Sequence, residues 1–207
     1  MAIVTNTLLK EYLPEIQGTG IDAELTALIN RVETAIARYL FFPEVTQSST
    51  VMGPTLDSHA YTFHLDGPLF SNPTVLQLPV KPVTAIASIH SDPDRQYGSD
   101  TLIDASTYTF NKHTGQVFLD PISATDTFDR SFRAIKAVVT AGYTSSTAPD
   151  DLKHAICVWA SQIQRNKSAQ GRQSIGNRGG SITASAKTMP EEIKELLYPF
   201  RCFGSVL

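Results

Sequence analysis

Residues 21–43 read IDAELTALINRVETAIARYLFFP. Leu25, Leu28, Ile29, Val32, Ile36 and Tyr39 recur at three- and four-residue steps, which is the spacing of one helix face, and predict an amphipathic helix from Ile21 to about Leu40. Gly20 and Asp22 supply its start. Phe41-Phe42-Pro43 ends it, because proline disfavours a helical residue before it. A shorter helix is predicted upstream over 6–13, with Thr5 or Asn6 capping and Pro14 closing.

Downstream, from Glu44 to Tyr143, the pattern changes to alternating apolar and β-branched residues broken by turn formers. Strands are predicted at 60–65, 75–78, 83–90, 107–111, 116–119 and 133–141, with Asn111-Lys112-His113-Thr114-Gly115 as a hairpin turn. Helical spacing returns after Ala148-Pro149-Asp150-Asp151, where Leu152, Ala155, Ile156, Trp159, Ala160 and Ile163 form one face that should run to about Ser168. Residues 169–188 hold almost no large apolar side chain and are rich in Gly, Ser, Arg and Gln, so a mobile loop or extended arm is expected. Thr188-Met189-Pro190-Glu191 has capping-box spacing ahead of Ile193, Leu196 and Leu197. The aromatic pair Phe41-Phe42 and the lone Trp159 are expected in the core.

This order implies an α+β fold, a helical bundle from the N- and C-terminal segments with an antiparallel β-sheet insertion in the middle. The divisions are N-terminal helices over 1–43, a β-rich insertion over 44–143, C-terminal helices over 144–198 with a flexible basic loop at 169–188, and a tail over 199–207.

The 207 residues are 42% hydrophobic and 18% charged, enough to bury a sizeable core. No apolar run reaches the eighteen residues of a membrane span, and the opening MAIVTNTLLK lacks the basic start and apolar stretch of a leader, so a cytosolic product without a targeting signal or membrane partner is expected. Cys157 and Cys202 make neither a disulfide framework nor a zinc box, and read as reduced thiols. The formal net charge of −3 conceals a segregation. Residues 1–151 carry −8, and 191–207 carry −1. Residues 152–190 carry +6, from Lys153, Arg165, Lys167, Arg172, Arg178 and Lys187 with no acid. A polyanion is the natural partner for such a stretch.

No catalytic constellation accompanies it, so activity as an enzyme, a cofactor and a metal are not expected. Gly171-Arg172-Gln173-Ser174-Ile175-Gly176 is followed by Asn177, where a phosphate loop needs lysine and then Ser or Thr. No Gly-x-Ser-x-Gly elbow is present. His59 and His64 are five apart, a spacing that suits ligand pairs on neither helix nor strand; His90, His113 and His154 are dispersed.

The concatenation resembles a known family, the head-tail connector or adaptor proteins of tailed bacteriophages and gene transfer agents. The carrying residues are Leu8-Leu9-Lys10-Glu11-Tyr12-Leu13, then Ile21-Asp22-Ala23-Glu24-Leu25-Thr26-Ala27-Leu28-Ile29 and Ala35-Ile36-Ala37-Arg38-Tyr39-Leu40. They continue through Leu78-Pro79-Val80-Lys81-Pro82-Val83-Thr84-Ala85-Ile86, Tyr108, Gly115-Gln116-Val117, Ala141-Gly142-Tyr143 and Pro149-Asp150-Asp151-Leu152-Lys153-His154-Ala155. The resemblance implies a virion structural protein, made in the host cytoplasm and placed in the neck between capsid and tail. It would be a subunit of a homo-oligomeric ring, twelve-fold in well-described relatives, that docks under the portal protein, extends the DNA channel and meets a stopper or tail-terminator protein. By the same resemblance the tail residues Tyr198, Phe200, Arg201 and Phe203 contact portal or tail. Arg165, Lys167, Arg172, Arg178 and Lys187 would face the portal or the DNA channel, where non-specific phosphate contact suits scattered cations. A stopper or tail-completion protein of the neck, and a DNA-binding accessory protein, are the alternatives.

Overall fold

In the computed structural model, residues 2–47, 50–68, 73–120, 127–167, 174–177, 180–183 and 189–202 are described. The fold is α+β with antiparallel sheets. The chain divides into two compact units, one of residues 1–40 and 145–201, the other of 41–144 and 202–207.

The first unit is helical. It contains α1 (Asn6–Glu11), α2 (Asp22–Tyr39), α3 (Asp150–Arg165), β9 (Ser174–Asn177), β10 (Gly180–Thr183) and α4 (Glu191–Leu197). Thr5 caps α1, its hydroxyl accepting from the Leu8 N–H. The α2 stripe is buried as its spacing predicts, from Leu25 through Leu28, Ile29 and Val32 to Ile36. α3 packs against α1, α2 and α4, burying Leu152, Ala155, Ile156, Cys157 and Ala160.

An acid, Glu33, sits on the buried face of α2 at 7% exposure. Its Oε1 accepts from the backbone N–H groups of Ile3 and Val4, at 2.9 and 3.0 Å. Two buried donors at the start of the chain are thereby satisfied, which is what tolerates a carboxylate among leucines.

Several helix ends differ from their sequence reading. Ile21, not Gly20, occupies the position before α2, and Asp22 is the first helical residue, its carboxylate 2.5 Å from the Lys10 ammonium. α3 stops at Arg165, where Asn166 donates back to the Gln162 carbonyl. Pro190 lies just before α4 rather than in its first turn, and Thr188 of the expected capping box lies outside the described residues. Phe41 is 53% exposed, against the expectation of a core residue, while Phe42 is buried and tilted against Tyr143. The chain leaves α2 with Phe41 at a φ of 60°, the left-handed step that ends many helices, and this turns the ring outward. Trp159 is half-buried.

Within the stretch expected as a mobile loop, β9 and β10 pair as an antiparallel hairpin with Ile175 opposite Ile182.

The second unit holds three antiparallel sheets. β1 (Glu44–Gln47) pairs with β2 (Thr50–Pro54), a hairpin absent from the sequence reading. The central sheet has the order β3-β8-β5, from β3 (His59–Leu65), β8 (Ile135–Ala141) and β5 (Val83–Ser91). β8 buries Ile135, Ala137, Val139 and Ala141 in strict alternation. The third sheet has the order β4-β7-β6, from β4 (Val75–Gln77), β7 (Gln116–Leu119) and β6 (Tyr108–Asn111). Beyond β8, Gly142 adopts a φ of +109°, and a Cβ there would lie 2.4 Å from the Asp57 carbonyl oxygen. Only glycine allows that approach.

Candidate functional site

The basic stretch splits at the end of α3. Arg165 Nε donates to Glu15 Oε1 at 3.0 Å, and its Nη2 donates to the Tyr12 carbonyl at 2.7 Å. Lys167 pairs with Glu24. The Arg165 hydrogen bond holds the Glu15 carboxyl below its ordinary range, and Lys167 does the same for Glu24. Both cations thus brace the end of α3 against the N-terminal helices and the turn between them. Arg172, Arg178 and Lys187 lie outside the residues whose side chains are described.

The tail divides similarly. Tyr198 is 67% exposed, while Phe200 is half-buried. The Arg201 guanidinium lies 4.5 Å from the ring centre of Tyr39 and 5.7 Å from that of Tyr198. Tyr39 in turn donates its hydroxyl to the Lys194 carbonyl at 3.3 Å. Phe203 lies outside the described residues. α4 presents Glu191, Glu192, Glu195 and Leu196 outward beside Tyr198. Glu191 is bound by Lys194 at 2.7 Å.

A surface that the sequence reading did not single out lies in the second unit, at the start of β8. Loop 92–97 and loop 129–133 meet there. Asp92 Nᴴ donates to the Ala134 carbonyl at 2.8 Å, and Tyr97 Oη donates to the Arg133 carbonyl at 2.6 Å. Asp92 is buried and accepts the backbone N–H groups of Asp94, Gln96 and Tyr97 at 2.6–2.8 Å. Burial raises its pKa, but these donors outweigh burial and hold the carboxyl below its ordinary range. Asp66 accepts from the Arg133 N–H and Asp129 from the Ser131 N–H, at 2.8 and 2.7 Å. A Cβ on Gly67 would lie 1.6 Å from the Asp129 carbonyl oxygen, so loop 129–133 rests directly on that glycine.

With these carboxylates turned to backbone, Arg95, Arg130 and Arg133 are exposed, and Lys136 lies 5.5 Å from the Tyr97 ring centre. Phe132, 65% exposed, stands among them. His64, 5.3 Å from Tyr97 ring to ring, is held below its ordinary pKa first by desolvation and then by the charges of Arg133 and Lys136. The signal was hidden because residues 1–151 are acidic in sum and the cations come from separate loops.

Among the described residues, no group of three or more His, Cys, Asp or Glu side chains is placed to hold a metal, and no helix is long and apolar enough to cross a membrane. Burial pushes the thiols of Cys157 and Cys202 up to about 12 and about 11, so neither ionises near neutrality. A cleft of about 300 Å³ beside β5 is lined by Ala87, Ser88, Leu102, Ile103, Asp104 and Tyr108. The Asp104 carboxylate there already accepts from the N–H and hydroxyl of Ser106.

No family model and no curated protein matches the chain. Solved structures do. A chain from the neck of an empty gene transfer agent (GTA) particle, computed with C6 symmetry, aligns at a TM-score of 0.54 with 17% identity, covering 94% of this chain and 88% of that one. Its fold is shared with GTA neck chains. A chain from the native GTA neck, computed with C12 symmetry, aligns at 0.51 with 16% identity over 88% of this chain and 84% of that one. A chain of the native GTA virion aligns at 0.51 with 17% identity over 90% and 80%.

Proposed function

We propose that the protein is a structural subunit of the neck of a tailed-phage-like particle, an adaptor that forms a ring beneath the portal, extends the DNA channel and joins capsid to tail. The observation that carries this reading is the likeness of fold to a GTA neck chain over 94% of the present chain. The order of motifs that resembles the adaptor family, running from Leu8 to Ala155, supports the same part of the neck. That the neighbours come from necks computed with C12 and C6 symmetry supports a homo-oligomeric ring.

In this reading the protein works by contact. The helices of the first unit form the ring's bundle, stiffened where Arg165 and Lys167 tie α3 to Glu15 and Glu24. Those two charges are spent within the subunit. Attraction for DNA phosphate or for the portal then falls to Arg172, Arg178 and Lys187, repeated around the ring. Deleting the gene in a producing host tests the reading. The expected product is DNA-filled heads without tails; normally tailed, infectious or transducing particles would refute it.

A further inference from the structure

A ring built from identical copies needs two different surfaces on each copy, because a head-to-tail contact joins one patch to another. Two exposed surfaces meet the requirement of opposite character. One is the Phe132 surface of the second unit, with Arg95, Arg130, Arg133 and Lys136. Among the described residues no carboxylate lies within ion-pair distance of these four cations. The other is the outer face of α4 in the first unit. Glu192 and Glu195 there have no ion-pair partner among the described residues, and Leu196 and Tyr198 are 38% and 67% exposed. Residues 191, 195 and 198 follow one another at helical spacing, so the acids and the aromatic ring share a face.

Resting on the ring reading, we propose that these surfaces are the two halves of one contact between neighbouring copies, the Phe132 loop of one copy seating on the α4 face of the next. Each half joins exposed apolar area to charge of one sign, the combination in which arginine and aromatic side chains anchor interfaces and complementary charge selects the partner. A nucleic acid suits the Phe132 surface less well. An exposed phenylalanine gains nothing from a duplex backbone, whereas against Leu196 and Tyr198 of a neighbouring copy it can bury apolar area. Tyr198 would then meet the neighbouring copy, whereas the family resemblance gives it to portal or tail.

Charge reversal tests this with the full-length protein. One variant carries Arg130→Glu and Arg133→Glu; the other carries Glu192→Lys and Glu195→Lys. Both are checked by thermal melting for an intact fold. In concentrated solution the wild type should self-associate, and each variant alone should associate about a hundredfold more weakly, because like charges then face each other. An equimolar mixture should recover assembly, and mass spectrometry should find the two variants alternating. Folded variants that each assemble like the wild type, or a mixture that fails to recover, would overturn the contact. So would an Arg130→Glu, Arg133→Glu variant that loses salt-sensitive DNA binding while still self-associating, which would make the surface a phosphate contact. A wild type that stays monomeric in concentrated solution overturns this contact too, yet leaves the neck reading to the deletion experiment.

Discussion

Glu33 offers the sharpest test of how the first unit is held together. Its Oε1 accepts both the Ile3 and Val4 N–H groups, and those residues are each 2% exposed. In Glu33→Ala neither donor retains its carboxylate acceptor. An orphaned buried donor costs about 1–3 kcal/mol, and a cavity is added where the side chain stood, so the variant should lose about 3 kcal/mol. That is a large share of the 5–15 kcal/mol typical of a domain. Glu33→Gln keeps a carbonyl acceptor and loses only the charge assistance, so about 1 kcal/mol is expected. Urea unfolding followed by helical circular dichroism measures the difference, and amide hydrogen exchange at Ile3 and Val4 localises it. If Glu33→Ala unfolds within about 0.5 kcal/mol of the wild type, the size of a neutral surface change, the carboxylate does not anchor the chain's start.

Other consequences follow from single contacts. Gly142→Ala places a methyl against the Asp57 carbonyl at an unfavourable φ and should cost about 2–3 kcal/mol, read as a lowered melting temperature of the second unit. Arg165→Ala removes the hydrogen bond that depresses Glu15, so NMR titration should show the Glu15 carboxyl rising toward its ordinary value. Because the folded pKa of Glu15 lies below the unfolded one, the pair's contribution is present above the unfolded value and fades as pH falls through the folded one; in the variant that part of the acid dependence should vanish. Tyr61 and Tyr143 are pushed up to about 12 by burial. Ultraviolet titration should therefore find both among the late-ionising tyrosines, with Tyr12 and Tyr108 also raised by burial. The contribution of Tyr61 and Tyr143 to stability is intact below an ordinary tyrosine pKa of 10.0 and is lost as pH rises from there toward about 12.

Much of the fold was legible where burial imposes a period. The α2 stripe and the alternation of β8 are the two clearest cases, and β7 occupies the predicted 116–119. Ends were less legible because local geometry decides them. β8 begins at Ile135 rather than at 133, since Arg133 takes a φ of 52° and the Ala134 N–H turns back to Ser131. The β1–β2 hairpin lacks apolar alternation, and β9–β10 is nearly free of large side chains, so neither shows a strand period. Glu33 on an apolar face could not be explained from the sequence, because its partners are backbone groups about thirty residues away. The Phe132 surface was illegible for a similar reason. It is assembled from three separate segments whose carboxylates are consumed by backbone donors, which no count of charges along the chain can register.

An averaged cryo-electron microscopy map of the neck would locate this chain in the particle. The two-unit fold should fit, in repeated copies around the channel axis, into density directly beneath the portal. Density for the chain anywhere else in the particle, or its absence from purified particles, would contradict that placement.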